Sequence, residues 1–378
     1  MFTVPVLRWL APLALLFAAF PAAAAEGPIK IGLNTSTTGT GAESGQYESN
    51  GVKLAIEEIN KAGGVLGRKL ELVVEDNQTT NPGAVSAFTK LASEGDITAV
   101  VGPIRSTQIN AILPNIAKAG LPVMIGGSDP TLTKQGNKWI FRCRPNDTYS
   151  AKVIADFGIN GLKLKKWAIV HSTDTFGTSG MNNLVANLKT LGVTPVLIQG
   201  YTNKAPDFTP VVLAIKQAGA DVIGSYFTFS EDIGIFAKQL RQLGVEATWI
   251  GSASIVTDSA MKLAGPALNG TYGVPDYTAD ASSESKAYAK KYEDVYKRPA
   301  DLYSSWAYDA VNVLAKAIAA AKSTDPGAIR SAILAVNGYK GVEGTYKFDE
   351  NGDGLRGYNV VKNDSGKIVF IKHTQFDN

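Results

Sequence analysis

The sequence predicts an α/β protein made of two doubly wound, Rossmann-like lobes, and three observations carry that prediction. Short apolar strands alternate with amphipathic helical segments from Ile29 onward, and the alternation runs twice, before and after about residue 148. The helical stretches repeatedly end at glycine, as helices closing on a left-handed residue do. The chain has 378 residues, more than one hydrophobic core ordinarily organises, so two domains are expected.

The first 25 residues read as an export leader. Arg8 supplies the positive n-region, Trp9 to Phe20 a short apolar run, and Ala22 to Ala25 a small-residue cleavage site before Glu26. The run is too short to span a bilayer as a stop-transfer helix, and no cysteine lies near the cleavage point to take a lipid. An exported, cleaved protein without a membrane-inserted segment is expected.

The first series opens with the strand Ile29–Leu33 and a loop of Gly, Thr and Ser. Val52, Ala55, Ile56 and Ile59 then recur at i, i+3, i+4 and i+7, an amphipathic helix that stops at Gly63 and Gly64. A strand at Lys69–Val74, a helix over about 82–93 and a strand at Ile97–Val101 follow. The next helix starts after Ser106, and Pro114 inside it is expected to kink it by removing a backbone bond. Leu121–Ile125 is another strand. The second series reads as strands at Trp167–His171, Val196–Gln199 and Asp221–Gly224. Helical faces lie between and after them at Met181–Leu191, Val211–Ala218 and Ile233–Leu240. The tail breaks the rhythm. Helices over about 284–296, 305–321 and 328–335 precede strands at Gly344–Phe348, Tyr358–Val361 and Ile368–Ile371, so the tail is expected to complete both lobes by crossing between them.

Composition narrows the function classes. Lys and Arg number 37 against 34 Asp and Glu, a formal charge of +3 that argues against nucleic acid or an anionic membrane as partner. Cys143 is the single cysteine, which excludes an intrachain disulfide and fits a buried thiol. With only His171 and His373 beside it, a metal site is not expected. Two motifs fail on inspection. The glycine-rich Thr38–Gly45 has no following P-loop lysine. The calcium-loop-like start at Asp349 has Val360 at its twelfth position where glutamate is required. Neither histidine belongs to a Ser/His/Asp arrangement, so no enzyme and no cofactor are expected.

The candidate site lies in Ala99–Thr133. In an open parallel sheet, neighbouring strand ends form one crevice where small ligands bind. Ser106 and Thr107 fall where one strand gives way to a helix, and Ser128 follows the next strand beside Gly126 and Gly127. A helix start there adds unpaired N–H groups and the positive end of a dipole, a receiver for a small carboxylate. Ser106 and Ser128 also suit helix capping, and both uses can coexist. Phe176 follows Asp174 and Thr175 on a strand-to-helix loop, where a large apolar side chain needs a ligand or partner to cover it. Arg105 reads either as a second anchor for an acidic ligand or as a solvated or ion-paired rim residue.

The ordered set of these pieces resembles the periplasmic solute-binding proteins of ABC importers, in their leucine/isoleucine/valine-binding branch. The carriers are Ile29–Leu33, the Gly51–Asn60 helix with Gly63 and Gly64, Val101–Pro103 with Ser106, and Leu132–Thr133. Phe141–Arg142, Val170–His171 leading to Phe176–Gly177, and Trp306–Ala310 complete it. The resemblance implies a type I periplasmic binding protein, two lobes joined by a three-crossover hinge that closes on ligand. Lobe one would be 26–147 with 277–355, and lobe two 148–276 with 356–378. It implies a periplasmic monomer, cleaved near Ala25/Glu26, that captures a hydrophobic or polar amino acid and delivers it to inner-membrane permease subunits.

By the same resemblance, the α-carboxylate is held at Ser106 and Ser128, with Thr107 beside them. A backbone carbonyl near Gly127 helps receive the ammonium, and aromatics pack at Phe176 and near Tyr303. The sequence departs from the pattern elsewhere. The acid that pairs with the ammonium is replaced by Ala253, an aromatic of the first loop by Ser44, and the second-lobe tyrosine by Thr228, flanked by Tyr226 and Phe229. Thr80 and Arg105 stand where a disulfide is common. Asp174 and Glu231 are candidates for the missing ammonium partner or plain helix N-terminal charges. These departures keep open an amide, urea or aromatic carboxylate as ligand, and a sensory role in place of transport.

Overall fold

The computed structural model describes residues 1–4 and 27–377; most of the expected leader and its cleavage point at Ala25/Glu26 lie outside the described residues. The first sheet holds β1 (Ile29–Thr35), β2 (Leu70–Asp76), β3 (Ile97–Val101), β4 (Val123–Ile125) and β5 (Ile140–Arg142). All its pairings are parallel, in the order β2-β1-β3-β4-β5. The second sheet holds β6 (Trp167–Ser172), β7 (Leu197–Tyr201), β8 (Val222–Tyr226), β9 (Thr248–Ser252) and β10 (Tyr272–Val274). After a small hairpin of β11 (Asn337–Lys340) and β12 (Thr345–Lys347), the chain adds β13 (Gly357–Asp364) and β14 (Lys367–Gln375) to that second sheet.

The order there is β14-β13-β10-β9-β8-β6-β7, with β13 antiparallel to β10. The second sheet is therefore mixed. Its last two strands form a hairpin, which reverses direction without a crossover helix.

Helices cover both faces of each sheet. On the first, α1 (Ala42–Lys61) lies on the face that also receives α9 (Ser283–Tyr296), α10 (Leu302–Ala321) and α11 (Pro326–Leu334). The opposite face takes α2 (Asn81–Ser93) and α3 (Ser106–Ala119). On the second, α4 (Asp147–Asp156) and α5 (Thr175–Thr190) bury Ile154, Leu184 and Leu188 against Trp167 and Ile169. The other face takes α6 (Thr209–Ala218), α7 (Ser230–Gln242) and α8 (Asp258–Ala264), packed on Ile223 and Trp249. Burying each such Ile, Leu or Phe side chain stabilises the fold by about 1.5–3 kcal/mol relative to exposure.

The chain passes from the first sheet to the second after β5, returns after β10, and crosses again before β13. The tail's helices thus pack on the first sheet, and its last two strands join the second. Helices α1 and α10 approach so closely that a Cβ at Gly51 would stand 2.1 Å from the Ser304 carbonyl oxygen. Helix α3 continues through Pro114 to Ala119 and ends on left-handed Gly120 (φ 67°). Cys143 is fully buried with a free thiol. Among the described residues, no helix is long and apolar enough to cross a membrane, and no cluster of His, Cys, Asp or Glu is placed to hold a metal.

Candidate functional site

Strand ends from both sheets converge on one cavity of about 240 Å³. From the first sheet come the residues after β3 (Ile104 to Gln108) and Ser128 after β4; from the second come Asp174 and Phe176 after β6, Phe227 to Phe229 after β8, and Ala253 after β9. This is the crevice at strand carboxyl ends where open α/β sheets bind small ligands, here doubled face to face. Leu302 and Tyr303 at the start of α10, Tyr358 of β13, and Arg144, Asp147 and Lys204 add to the walls.

The corner expected to receive a carboxylate lies at the start of α3. Arg105 precedes the helix in extended backbone (φ −78°, ψ 122°), and no side chain caps the first turn. Its N–H groups therefore face the crevice with the positive end of the dipole behind them. The Ser106 hydroxyl accepts from the Asp129 amide at 3.3 Å, which leaves its proton to donate. Thr107 Oγ1 likewise accepts, from the Thr175 amide at 3.3 Å, across the cleft. The glycine after β4 lets the loop approach this corner: a Cβ on Gly127 would meet Ile109 Cδ1 at 2.4 Å.

Of the nine site residues expected from the sequence, Arg105, Ser106, Thr107, Ser128, Phe176, Thr228 and Tyr303 line the cavity. Gly127 and Tyr226 do not. The Gly127 carbonyl accepts from Arg142 Nη1 at 2.8 Å. Tyr226 is fully buried beneath the wall, its hydroxyl 2.9 Å from Ser150 Oγ and its ring 5.7 Å edge-on from Phe176. It supports Phe176 from behind. Ser128 donates its proton at 2.8 Å to Asp147 Oδ2, a use the sequence reading did not anticipate.

Asp174 caps α5. Its carboxylate accepts from Gly177 N (2.9 Å), Ser172 Oγ (3.1 Å), Asn203 Nδ2 (2.7 Å) and Thr228 Oγ1 (2.6 Å). Thr228 is thereby turned toward Asp174. Glu231 is exposed in the first turn of α7, outside the cavity wall.

Sequence reasoning missed Asp147, Arg144 and Tyr358. Asp147 is buried at the start of α4, held by Ser128 and by Ser150 Oγ at 3.0 Å, and burial pushes its carboxyl up to about 6. Arg144 pairs through Nε with Asp276 and donates from Nη1 to the Gly126 carbonyl at 3.1 Å. The one local signal was Asn146, whose side chain caps α4 by accepting from Thr148 N. Tyr358 had none, because it arrives from a strand far along the chain.

The comparisons with known proteins agree with this architecture. The periplasmic binding protein family matches residues 28–367. The Leu/Ile/Val-binding protein BraC3 of Rhizobium johnstonii is 31% identical over 349 residues, 91% of this chain and 94% of that protein. A branched-chain amino acid transporter substrate binding protein, LivJ of Streptococcus pneumoniae, solved with isoleucine, superposes with a TM-score of 0.84 at 25% identity, covering 90% of this chain and 97% of that one. The leucine binding protein LivK of Thermotoga maritima shares the fold, with a TM-score of 0.85 at 22% identity over 92% and 99% of the two chains. This chain belongs to the periplasmic binding protein family, in the leucine/isoleucine/valine-binding branch that its sequence resembles. It is a solute-binding protein, not an enzyme.

Proposed function

We propose that this chain is the capture subunit of an ABC importer: it binds a small carboxylate-bearing solute in the periplasm, closes its lobes on it, and delivers it to an inner-membrane permease. One observation carries the reading. Strand ends of two separate sheets meet at a single cavity whose anion-receiving corner, the uncapped start of α3, carries Ser106 and Thr107. The lobes are 27–147 with 277–355, and 148–276 with 356–377, and the chain acts as a monomer once its leader is removed. Closure is supported by contacts that bridge the cleft. Ser179 Oγ donates to Asp129 Oδ1 at 3.0 Å, and Tyr47 OH to Asp258 Oδ2 at 2.7 Å. A solute shifts the lobes toward closure only by its better fit to the closed form, which needs walls from both lobes.

The relatives' names make a branched-chain amino acid the first solute to test. A thermal-shift screen of amino acids, organic acids and amides reads this directly. A solute at 100 times its Kd adds about 2.7 kcal/mol, a shift of a few degrees. Loss of uptake of the stabilising solute in a deletion strain establishes transport. If no small acid stabilises the protein, or if deletion leaves uptake unchanged, the reading is wrong.

A further inference from the structure

We propose that the solute of this cleft is an apolar organic acid without an ammonium group, its carboxylate shared between the start of α3 and Arg105. The proposal rests on the capture function above and names its substrate class. An α-amino acid brings an anion and a cation into the site together, so its pocket must present a free acceptor of negative charge beside the carboxylate receiver. Most of the acceptors here are already engaged. Asp174 receives four hydrogen bonds, which fills the roughly four lone-pair sites a carboxylate offers. Asp147 accepts from Ser128 and Ser150 and is only 2% exposed, so little of its carboxylate reaches the cavity. The two carbonyls after β4 accept from guanidinium groups, Gly126 from Arg144 and Gly127 from Arg142, and neither glycine lines the cavity. A cation entering there meets Arg144, which lines the cavity. At the end of β9 the wall carries the methyl group of Ala253 between Ser252 and Ser254, whose hydroxyls bond each other at 3.1 Å.

Arg105 stands in the opposite condition. Its guanidinium donates to a neutral partner, Ser44 Oγ at 3.1 Å, and lies 4.9 Å over the Phe229 ring. Its Nε is buried without a partner. A guanidinium that lines the cavity and is hydrogen-bonded to a neutral hydroxyl is an anion receiver, and it flanks the helix start that receives the same charge. The far wall, from Phe176, Phe229, Ala253 and Leu302, suits an apolar body.

Calorimetric titration of the full mature protein with matched pairs tests this. The pairs are 4-methylpentanoate with L-leucine and 3-phenylpropanoate with L-phenylalanine, each differing only in the ammonium. The acid of at least one pair is expected to bind at least tenfold tighter than its amino counterpart, and Arg105→Met to weaken that acid at least tenfold. Ala253→Glu, which supplies the absent acceptor without touching Arg105, is expected to reverse the preference; it also serves if Arg105→Met does not fold. Tighter binding of the amino acid in both pairs overturns the proposal but leaves the capture reading standing, as does an unaffected acid affinity in folded Arg105→Met or an unmoved preference in Ala253→Glu. Binding of neither member of either pair overturns the proposal, and failure of every other small acid as well removes the capture reading.

Discussion

Replacing Glu48 by glutamine isolates one buried charge and its cost. Glu48 lies in α1, 2% exposed, accepting from the Thr35 hydroxyl through Oε2 while Oε1 has no partner. Burial is the largest influence and pushes its carboxyl from an ordinary 4.5 up to about 7, despite the Thr35 bond and the nearby Arg105 and Arg144. Between those values the folded protein binds a proton that the unfolded chain does not. Folding is therefore favoured as pH falls from about 7 toward 4.5, and that gain is lost as pH rises through about 7. The displacement corresponds to about 3 kcal/mol at about 1.4 kcal/mol per pH unit. Glu48→Gln keeps the shape and an acceptor for Thr35 while removing the titration. Urea unfolding should show the variant up to about 3 kcal/mol more stable than wild type at pH 8, with the advantage largely gone by pH 5. Comparing variant with wild type cancels the other titrating groups, including Asp147. A stability difference that stays constant from pH 5 to 8 would refute the reasoning.

Three further outcomes follow from named contacts. Asp174→Ala strips the cap from α5 and should lower stability by about 1–2 kcal/mol in urea unfolding; a loss under about 0.5 kcal/mol would contradict the capping role. Tyr47→Phe deletes the bond to Asp258 across the cleft, worth about 1 kcal/mol to the closed form, and should weaken solute binding about fivefold by titration. An unchanged Kd would show that this contact does not bias closure. Ser106→Ala should weaken a carboxylate solute by about 1–3 kcal/mol, and unaltered affinity would remove Ser106 from the site.

Much of this protein is written locally. Apolar residues recurring at helical spacing, as in Val52–Ile59, and apolar runs such as Ile97–Val101 report which face a segment buries, because backbone periodicity and burial act over a few residues. Both series of strands and helices, and the hydroxyls at the start of α3, were legible for that reason. Short strands were not. Ile140–Arg142 and Tyr272–Val274 carry three residues each, and only pairing with Val123–Ile125 and Thr248–Ser252 makes them strands. The tail's last hairpin joins the second sheet through β10, a decision made by residues some 90 positions upstream.

The site divides the same way. A serine at a helix start announces a possible anion receiver from sequence alone. Whether a neighbouring acid is free or spent depends on partners brought from elsewhere. Asp174 is occupied by Asn203 and Thr228, Gly127 by Arg142, and Gly126 by Arg144. The receiving end of the cleft was thus set by local chemistry. What its other end accepts was decided by tertiary structure, because a hydrogen-bonding capacity is used up only when the chain has folded around it.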